Sequence, residues 1–221
     1  MKPKEFVRRL SAVSTKNSFN PYSQVCSTFD VKSADKIRFQ LLLDMLEKAS
    51  RVEVDAIWIG RDLGYRGGRR TGLALTDEVH AKEYAERWSL CAQRTTKGDP
   101  CKERTASVIW DALRSIEDNI FLWNVFPLHP HEAGDPFSNR SHNAAERKIG
   151  EEILKDLVSM IKPRRLIAVG NDAVSSIGKI APNIPSAKVR HPSYGGQNIF
   201  LQQIEGLYGV VCQPVIQREL F

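Results

Sequence analysis

Ala56-Ile-Trp-Ile-Gly60 is a short apolar run that stops on a glycine and leads directly into Arg61-Asp-Leu-Gly64. The run does not alternate between apolar and polar residues, so it reads as a strand buried on both faces, the pattern of a parallel sheet. Two further runs share it, Ile120-Phe-Leu-Trp-Asn-Val125 and Leu166-Ile-Ala-Val-Gly170, and a weaker one spans Ser186–Arg190. Helical periodicity separates them. Residues 34–49 place Ile37, Leu41, Leu42, Met45 and Leu46 on one face. Residues 105–116 do the same with Ile109, Ala112, Leu113 and Ile116, and residues 141–161 with Ile149, Ile153, Leu157 and Ile161 behind Ser141 as N-cap. Strands alternating with helices of this length predict an α/β fold, a three-layer α/β/α sandwich on a central four-stranded parallel sheet.

Such sheets bind ligands beyond the carboxyl ends of their strands, where loops and helix N-termini gather. The residues to inspect are therefore Gly60–Gly64, Asn124 onward, Gly170-Asn-Asp172 and His191-Pro-Ser193. Glycines, ionisable groups and amides do collect at these four places. Of them, Asp62 and His191 are the acid–base candidates and Asn124 the polar reader.

The rest of the chain narrows the class. At 221 residues, 42% hydrophobic and 26% charged, it suits one domain with one substantial core, here residues 1–221 with an N-terminal helical part over 1–50. No repeat or linker divides it. No apolar run approaches the ~18 residues of a spanning helix, and MKPKEFVRRLSAV lacks the apolar stretch of a secretory signal, so a cytoplasmic protein without a membrane partner is expected. Cys26, Cys91, Cys101 and Cys212 show neither C-x-x-C nor zinc-ribbon spacing and read as reduced thiols. His129 and His131 beside Glu132 have no further ligand paired in sequence, so neither metal nor cofactor is expected. The glycines of Gly60-x-x-x-Gly64-x-x-Gly67 fit neither dinucleotide nor nucleoside-triphosphate loops, and a G-x-S-x-G nucleophile elbow is absent.

The net charge of +6 is modest, but its distribution is not even. Arg61, Arg66, Arg69 and Arg70 crowd a glycine-rich loop in which only Asp62 opposes them, an arrangement suited to phosphates.

Three segments resemble the uracil-DNA glycosylase superfamily. Trp58-Ile-Gly-Arg-Asp-Leu-Gly-Tyr-Arg-Gly-Gly-Arg-Arg-Thr-Gly72 is similar to its first motif and His191-Pro-Ser-Tyr-Gly-Gly196 to its second. Leu122-Trp-Asn-Val-Phe-Pro-Leu-His-Pro-His131 with Ser138-Asn-Arg140 resembles the base-reading strand and following loop of bacterial members. Together they span roughly residues 52–205 in the family's order. The resemblance implies a monofunctional DNA glycosylase that flips a nucleotide and hydrolyses its N-glycosidic bond. It places Asp62 on the water-positioning carboxylate, Asn124 on the amide that reads the base, and His191 on the group that stabilises charge at the base O2. Gly60, Gly64 and Leu75 then line the base pocket. Arg61, Arg66, Arg69, Arg70 and Arg140 become phosphate contacts, with Ser193 adding a hydroxyl, and a monomer acting on DNA is implied. No lysine stands where a Schiff base would need one, so water is the expected nucleophile.

The departures from the family pattern bear on the substrate. Leu75 stands where bacterial members often carry a stacking aromatic, and Gly64 where the best-known uracil enzymes screen the pyrimidine 5-position with tyrosine. The cysteine pattern of the iron–sulfur branch is not reproduced. In place of the leucine wedge stands Tyr194-Gly-Gly-Gln197, so Tyr194 or Gln197 must serve, or neither. An open 5-position favours a bulky modified pyrimidine, such as the hydroxymethylated or glucosylated cytosine of phage DNA and hence an antiviral role, ahead of uracil and repair. An inactive DNA-binding module on the same scaffold is the alternative of another class. A small-molecule nucleosidase fits the arginine-rich loop less well.

Overall fold

The computed structural model describes residues 1–212, so the last nine residues of the expected 1–221 domain lie outside the described residues. The chain runs α1 (Pro3–Ser11), β1 (Ser18–Phe19), α2 (Ala34–Ala49), β2 (Ala56–Asp62), α3 (Gly68–Thr71), α4 (Ala81–Arg87) and α5 (Arg104–Leu113). It continues β3 (Ile120–Phe126), β4 (His129–Pro130), α6 (Ala144–Ile161), β5 (Arg165–Val169), α7 (Asn171–Ile180), β6 (Ser186–Val189) and α8 (Gln197–Tyr208). The sheet is four-stranded and parallel in the order β3-β2-β5-β6, with helices packed against it, as the apolar runs predicted. A short antiparallel pair, β1 with β4, sits apart from it. No helix among the described residues is long and apolar enough to cross a membrane.

Burial follows strand position. Ile57, Trp58 and Ile59 of central β2 are fully buried, whereas edge strand β6 buries only Val189, which is why its sequence signal is weak. Paired residues of parallel strands face the same side, so Trp58 and Leu122 look one way and Ile59 and Trp123 the other. Trp58 meets Phe200 and Tyr208 of α8 and donates its indole N–H to the Tyr208 hydroxyl at 2.8 Å. Trp123 meets Phe6 of α1, and α1 in turn touches α2 and α6. The layers on the two faces are thereby defined.

Several boundaries differ from those expected. β2 runs on through Asp62 and β3 through Phe126, so Asp62 is a strand residue held by the ladder and not a loop residue beyond it, while Asn124 lies within the run expected over 120–125. The N-cap of α6 is Asn143, not Ser141: its side chain accepts from the N–H groups of Ala145 and Glu146, and Glu146 returns the bond to the Asn143 N–H. Such a reciprocal box satisfies more of the free first-turn donors than Ser141 can from two residues upstream. On α2 the buried face includes Arg38 while Ile37 is only half-buried. Arg38 tolerates burial because its guanidinium pairs with Asp30 at 2.5 Å and donates to the Arg70 carbonyl at 2.9 Å. Helices α7 and α8 are too short in apolar period to read from sequence. α7 starts where Gly170, at φ +93°, turns the chain off β5.

α6 lies unusually close to β3. A Cβ at Gly150 would fall on the Val125 carbonyl oxygen, a backbone atom that cannot swing aside. Gly150→Ala should therefore destabilise the protein by about 1–3 kcal/mol, the ordinary cost of overpacking. Chemical denaturation of the two proteins checks this, and an unchanged midpoint contradicts it.

Candidate active site

A cavity of about 450 Å³ opens at the carboxyl ends of β2, β5 and β6. This is within the ~300–1,000 Å³ range of ligand pockets. Asp62 at the end of β2, Gly170–Asp172 after β5 and His191 after β6 contribute to its wall, as do Gly64, Leu75 and Glu103. The expected clustering at strand ends is thus present, and Asp62 and His191 share one chamber.

Asp62 is almost wholly enclosed. One carboxylate oxygen lies 2.5 Å from Nδ1 of His142, and the other accepts from Nε of Arg61 at 2.9 Å. The His142 backbone N–H adds a longer contact at 3.4 Å. His142 is buried against Phe126, and its Nε2 has no partner. The sequence does not single out this histidine, which falls in the first turn of the helix expected over 141–161 and follows no strand. The polar triplet Ser141-His-Asn143 was the available signal. Its effect is to fix the carboxylate's orientation toward the cavity.

His191 is held from behind by Ser193. The Ser193 N–H donates to Nδ1 at 3.2 Å and the hydroxyl lies 2.7 Å from the same atom. An acceptor at Nδ1 puts the ring proton on Nε2. Burial lowers the imidazole pKa, the charges of Arg61 and Arg190 lower it further, and Asp172 opposes them. A neutral ring with an Nε2–H donor results. Ser193 was expected at a phosphate; its hydroxyl is instead committed to His191.

Asn124 is 1% exposed, and neither its Oδ1 nor its Nδ2 has a hydrogen-bond partner. It pairs in register with Gly60, whose missing side chain makes the space: a Cβ there would stand 2.5 Å from Asn124 Oδ1 and 2.9 Å from Leu75 Cδ2. Leu75 lines the cavity, whereas Gly60 and Asn124 do not, so the leucine side chain closes the amide off. Leu75 also sits at φ +53°, a left-handed conformation that leucine adopts only under constraint.

The arginines divide into two groups, which narrows the expected phosphate set. Arg69 and Arg70 are buried. Arg69 stacks on Phe19 at 4.0 Å, and Arg70 pairs with Glu78 at 2.6 Å and covers Phe29. Arg140 borders the cavity, but its guanidinium is locked on Glu146 by two 2.7 Å bonds and on the Asn17 carbonyl. These three hold loops. Arg61 and Arg66 are exposed as expected, and exposed Arg190, which the sequence reading missed, joins Arg61 on the cavity wall. Tyr194 stands 98% exposed at φ +51° on the same rim. His129, weighed above as a ligand, is buried and contacts the Ser138 carbonyl at 2.8 Å; burial and Arg69 push its pKa down to about 4.

No protein-family model matches the sequence, and no curated protein matches it. Solved structures do. The crystal structure of wild-type SMUG2 from Pedobacter heparinus superposes with a TM-score of 0.62 at 13% identity, covering 95% of this chain and 98% of that one. The two proteins share a fold along almost their whole length.

The His191 geometry gives a direct test. At pH 7 the imidazole should be neutral with its proton on Nε2, charging only below the ordinary value near ~6.5. Arg61→Gln or Arg190→Gln should move that titration upward. Long-range proton–nitrogen NMR reads both the tautomer and the midpoint, and half-protonation at or above ~6.5 in the unaltered protein contradicts the assignment.

Proposed function

We propose that this protein is a monofunctional DNA glycosylase acting on a flipped base, a modified pyrimidine ahead of uracil. The observation that carries the reading is the Asn124 amide, enclosed with both polar atoms unpaired beside a cavity that holds a carboxylate and an imidazole. Leaving buried donors and acceptors unmade costs about 1–3 kcal/mol each, so a native protein keeps them for a purpose. The Watson–Crick edge of a pyrimidine offers one donor and one acceptor side by side and repays both. SMUG2, whose fold this chain shares, is a DNA glycosylase, and the motif resemblance points the same way.

The chemistry follows from the residues in place. A flipped nucleotide enters, displaces the Leu75 side chain and meets Asn124. As the C1′–N bond breaks, its electron pair passes to the base and the sugar becomes cationic. The Nε2–H of His191 stabilises the charge growing on O2. Asp62, held by His142, faces the sugar, stabilises its positive charge and orients the water whose oxygen bonds to C1′. The water's proton leaves to the carboxylate or the departing base, and an abasic site remains. No lysine stands among the residues that line the cavity, in keeping with a water nucleophile. Exposed Tyr194 fits the role of a wedge in the vacated stack.

Gly64 presents no side chain to the cavity and Leu75 replaces a flat stacking wall, which together favour a base enlarged at its 5-position, such as hydroxymethylated or glucosylated cytosine of phage DNA. Removal of such a base would be a defence against phage. Duplexes carrying uracil, 5-hydroxymethylcytosine and its glucosylated form separate the substrates. Asp62→Ala and Asn124→Ala should each slow base release by about 10²–10³ while DNA binding persists. Undiminished release in both variants sinks the assignment of Asp62 and Asn124, and no release of any base by the wild type sinks the glycosylase reading and leaves a DNA-binding module. Gly64→Tyr should abolish release of the glucosylated base, and wild-type activity on uracil alone defeats the enlarged pocket.

Phosphate contact through Arg61, Arg66 and Arg190 predicts that log affinity for duplex DNA falls with log salt at a slope of about −2 to −3. Glutamine at any of the three should reduce the slope by about 1, whereas Arg140→Gln should leave it unchanged. A slope near zero overturns the contact set.

A further inference from the structure

Glu103 and Asp172 are acidic side chains on the cavity wall that neither the resemblance nor the mechanism uses. Asp172 lies beside Arg61 and Arg147, at 3.8 and 3.6 Å, and Glu103 is the one of the two without such a pair among the described residues. It is the N-cap of α5, with φ −119° and ψ 130°, yet its carboxylate makes no capping bond. A carboxylate in that position ordinarily accepts from the first-turn N–H groups. This one turns toward the glycines after β2 instead. A Cβ at Gly64 would lie 3.5 and 3.6 Å from its two oxygens, and a Cβ at Gly67 would overlap Oε2. Glycine at 67 is therefore what leaves the carboxyl its place. The backbone is pinned as well: Asp77 accepts the Glu103 N–H at 2.7 Å.

The carboxyl so placed has no hydrogen-bond or ion-pair partner among the described residues. Burial raises its pKa, and the negative charge of nearby Asp77 raises it further against the pull of Arg66. A half-buried acceptor with free lone pairs facing a ligand cavity is satisfied, once a ligand displaces water from it, only by hydrogen-bond donors on that ligand. Phosphate is excluded, since like charge would meet like. A hydrogen or methyl group would leave the carboxyl unmet. Hydroxyl groups satisfy it. With Asn124 on the Watson–Crick edge and His191 at O2, the 5-position lies across the ring from C2, where the wall of Gly64 and Glu103 remains to receive it.

We propose that Glu103 is a specificity-determining residue that selects pyrimidines by accepting hydrogen bonds from hydroxyl groups on their 5-substituent. This rests on the glycosylase reading above and adds to it the chemical class of the substituent. The test measures single-turnover base release by the full chain from duplexes carrying uracil, 5-methylcytosine, 5-hydroxymethylcytosine and glucosylated 5-hydroxymethylcytosine. Binding to the same duplexes in an Asp62→Ala background supplies the comparison for bases that are bound and not released. Glu103→Ala should lower release or binding of the hydroxyl-bearing bases about ten- to a hundredfold relative to the other two. Glu103→Gln keeps an acceptor oxygen and should retain more of the preference. Thermal unfolding should be nearly unaltered in both variants, because the side chain caps no helix. An equal effect on all four bases, or no effect, or a wild type that prefers uracil or the methylated base, overturns the proposal and leaves the glycosylase intact. No release of any base by the wild type removes the glycosylase reading and the proposal together.

Discussion

The register between β2 and β3 is the constraint on which the site depends. Gly60 lies opposite Asn124 and Asp62 opposite Phe126, and residues two apart on a strand project to the same face. The carboxylate and the amide are thereby held at a spacing set by the backbone and not by flexible loops. Gly60 is part of the same device, since a single methyl group there would strike both Asn124 and Leu75. A slip of one residue would turn the amide to the opposite face of the sheet, and the buried apolar pattern of both strands forbids it.

Around that frame one charge serves two groups. Arg61 pairs with Asp62, and after burial it is the strongest influence that lowers the pKa of His191, so one guanidinium both holds the carboxylate and favours a neutral imidazole. His142 and Ser193 then fix the orientation of each partner from behind. Groups locked in this way need little reorganisation when charge develops across a breaking bond, the main source of electrostatic stabilisation in enclosed sites. The interior arginines supply the rigidity. Arg38 ties α2 to the Arg70 carbonyl, Tyr22 donates to the Gly72 carbonyl, and Arg70 joins Glu78, so the loop that carries Leu75 is fastened at several points. Each of the buried arginines Arg38, Arg69 and Arg70 has a partner or an aromatic face, as its desolvation requires.

The clearest parts of the sequence were those in which burial acts on consecutive residues. The runs at 56–60, 120–125 and 166–170 are strands because a parallel sheet covered on both faces demands uninterrupted apolar side chains. Helices α2, α5 and α6 were legible from apolar spacing, while α7 and α8 carry too few periodic residues. The burial of Arg38 is not legible in the sequence, for a simple reason. Periodicity assigns a cation to the solvent side, and only a partner distant from it, Asp30 and the Arg70 carbonyl, allows it to turn inward.

What the sequence determined by itself was the sheet, the places where its strands end, and the identity of Asp62, Asn124 and His191 as groups of interest. These follow from local pattern, because strand ends in such sheets collect polar residues. What the tertiary structure decided was which of those groups stand together and what surrounds them. It brought His142 onto Asp62 across 80 positions of chain and set Glu103 against Gly64 and Gly67. It also buried Arg69 and Arg70 and tied half-buried Arg140 to Glu146, while leaving Arg61, Arg66 and Arg190 exposed. Hydrogen bonds and ion pairs depend on distance in space, and a linear spacing carries almost no information about contacts that only the packed helices and loops create.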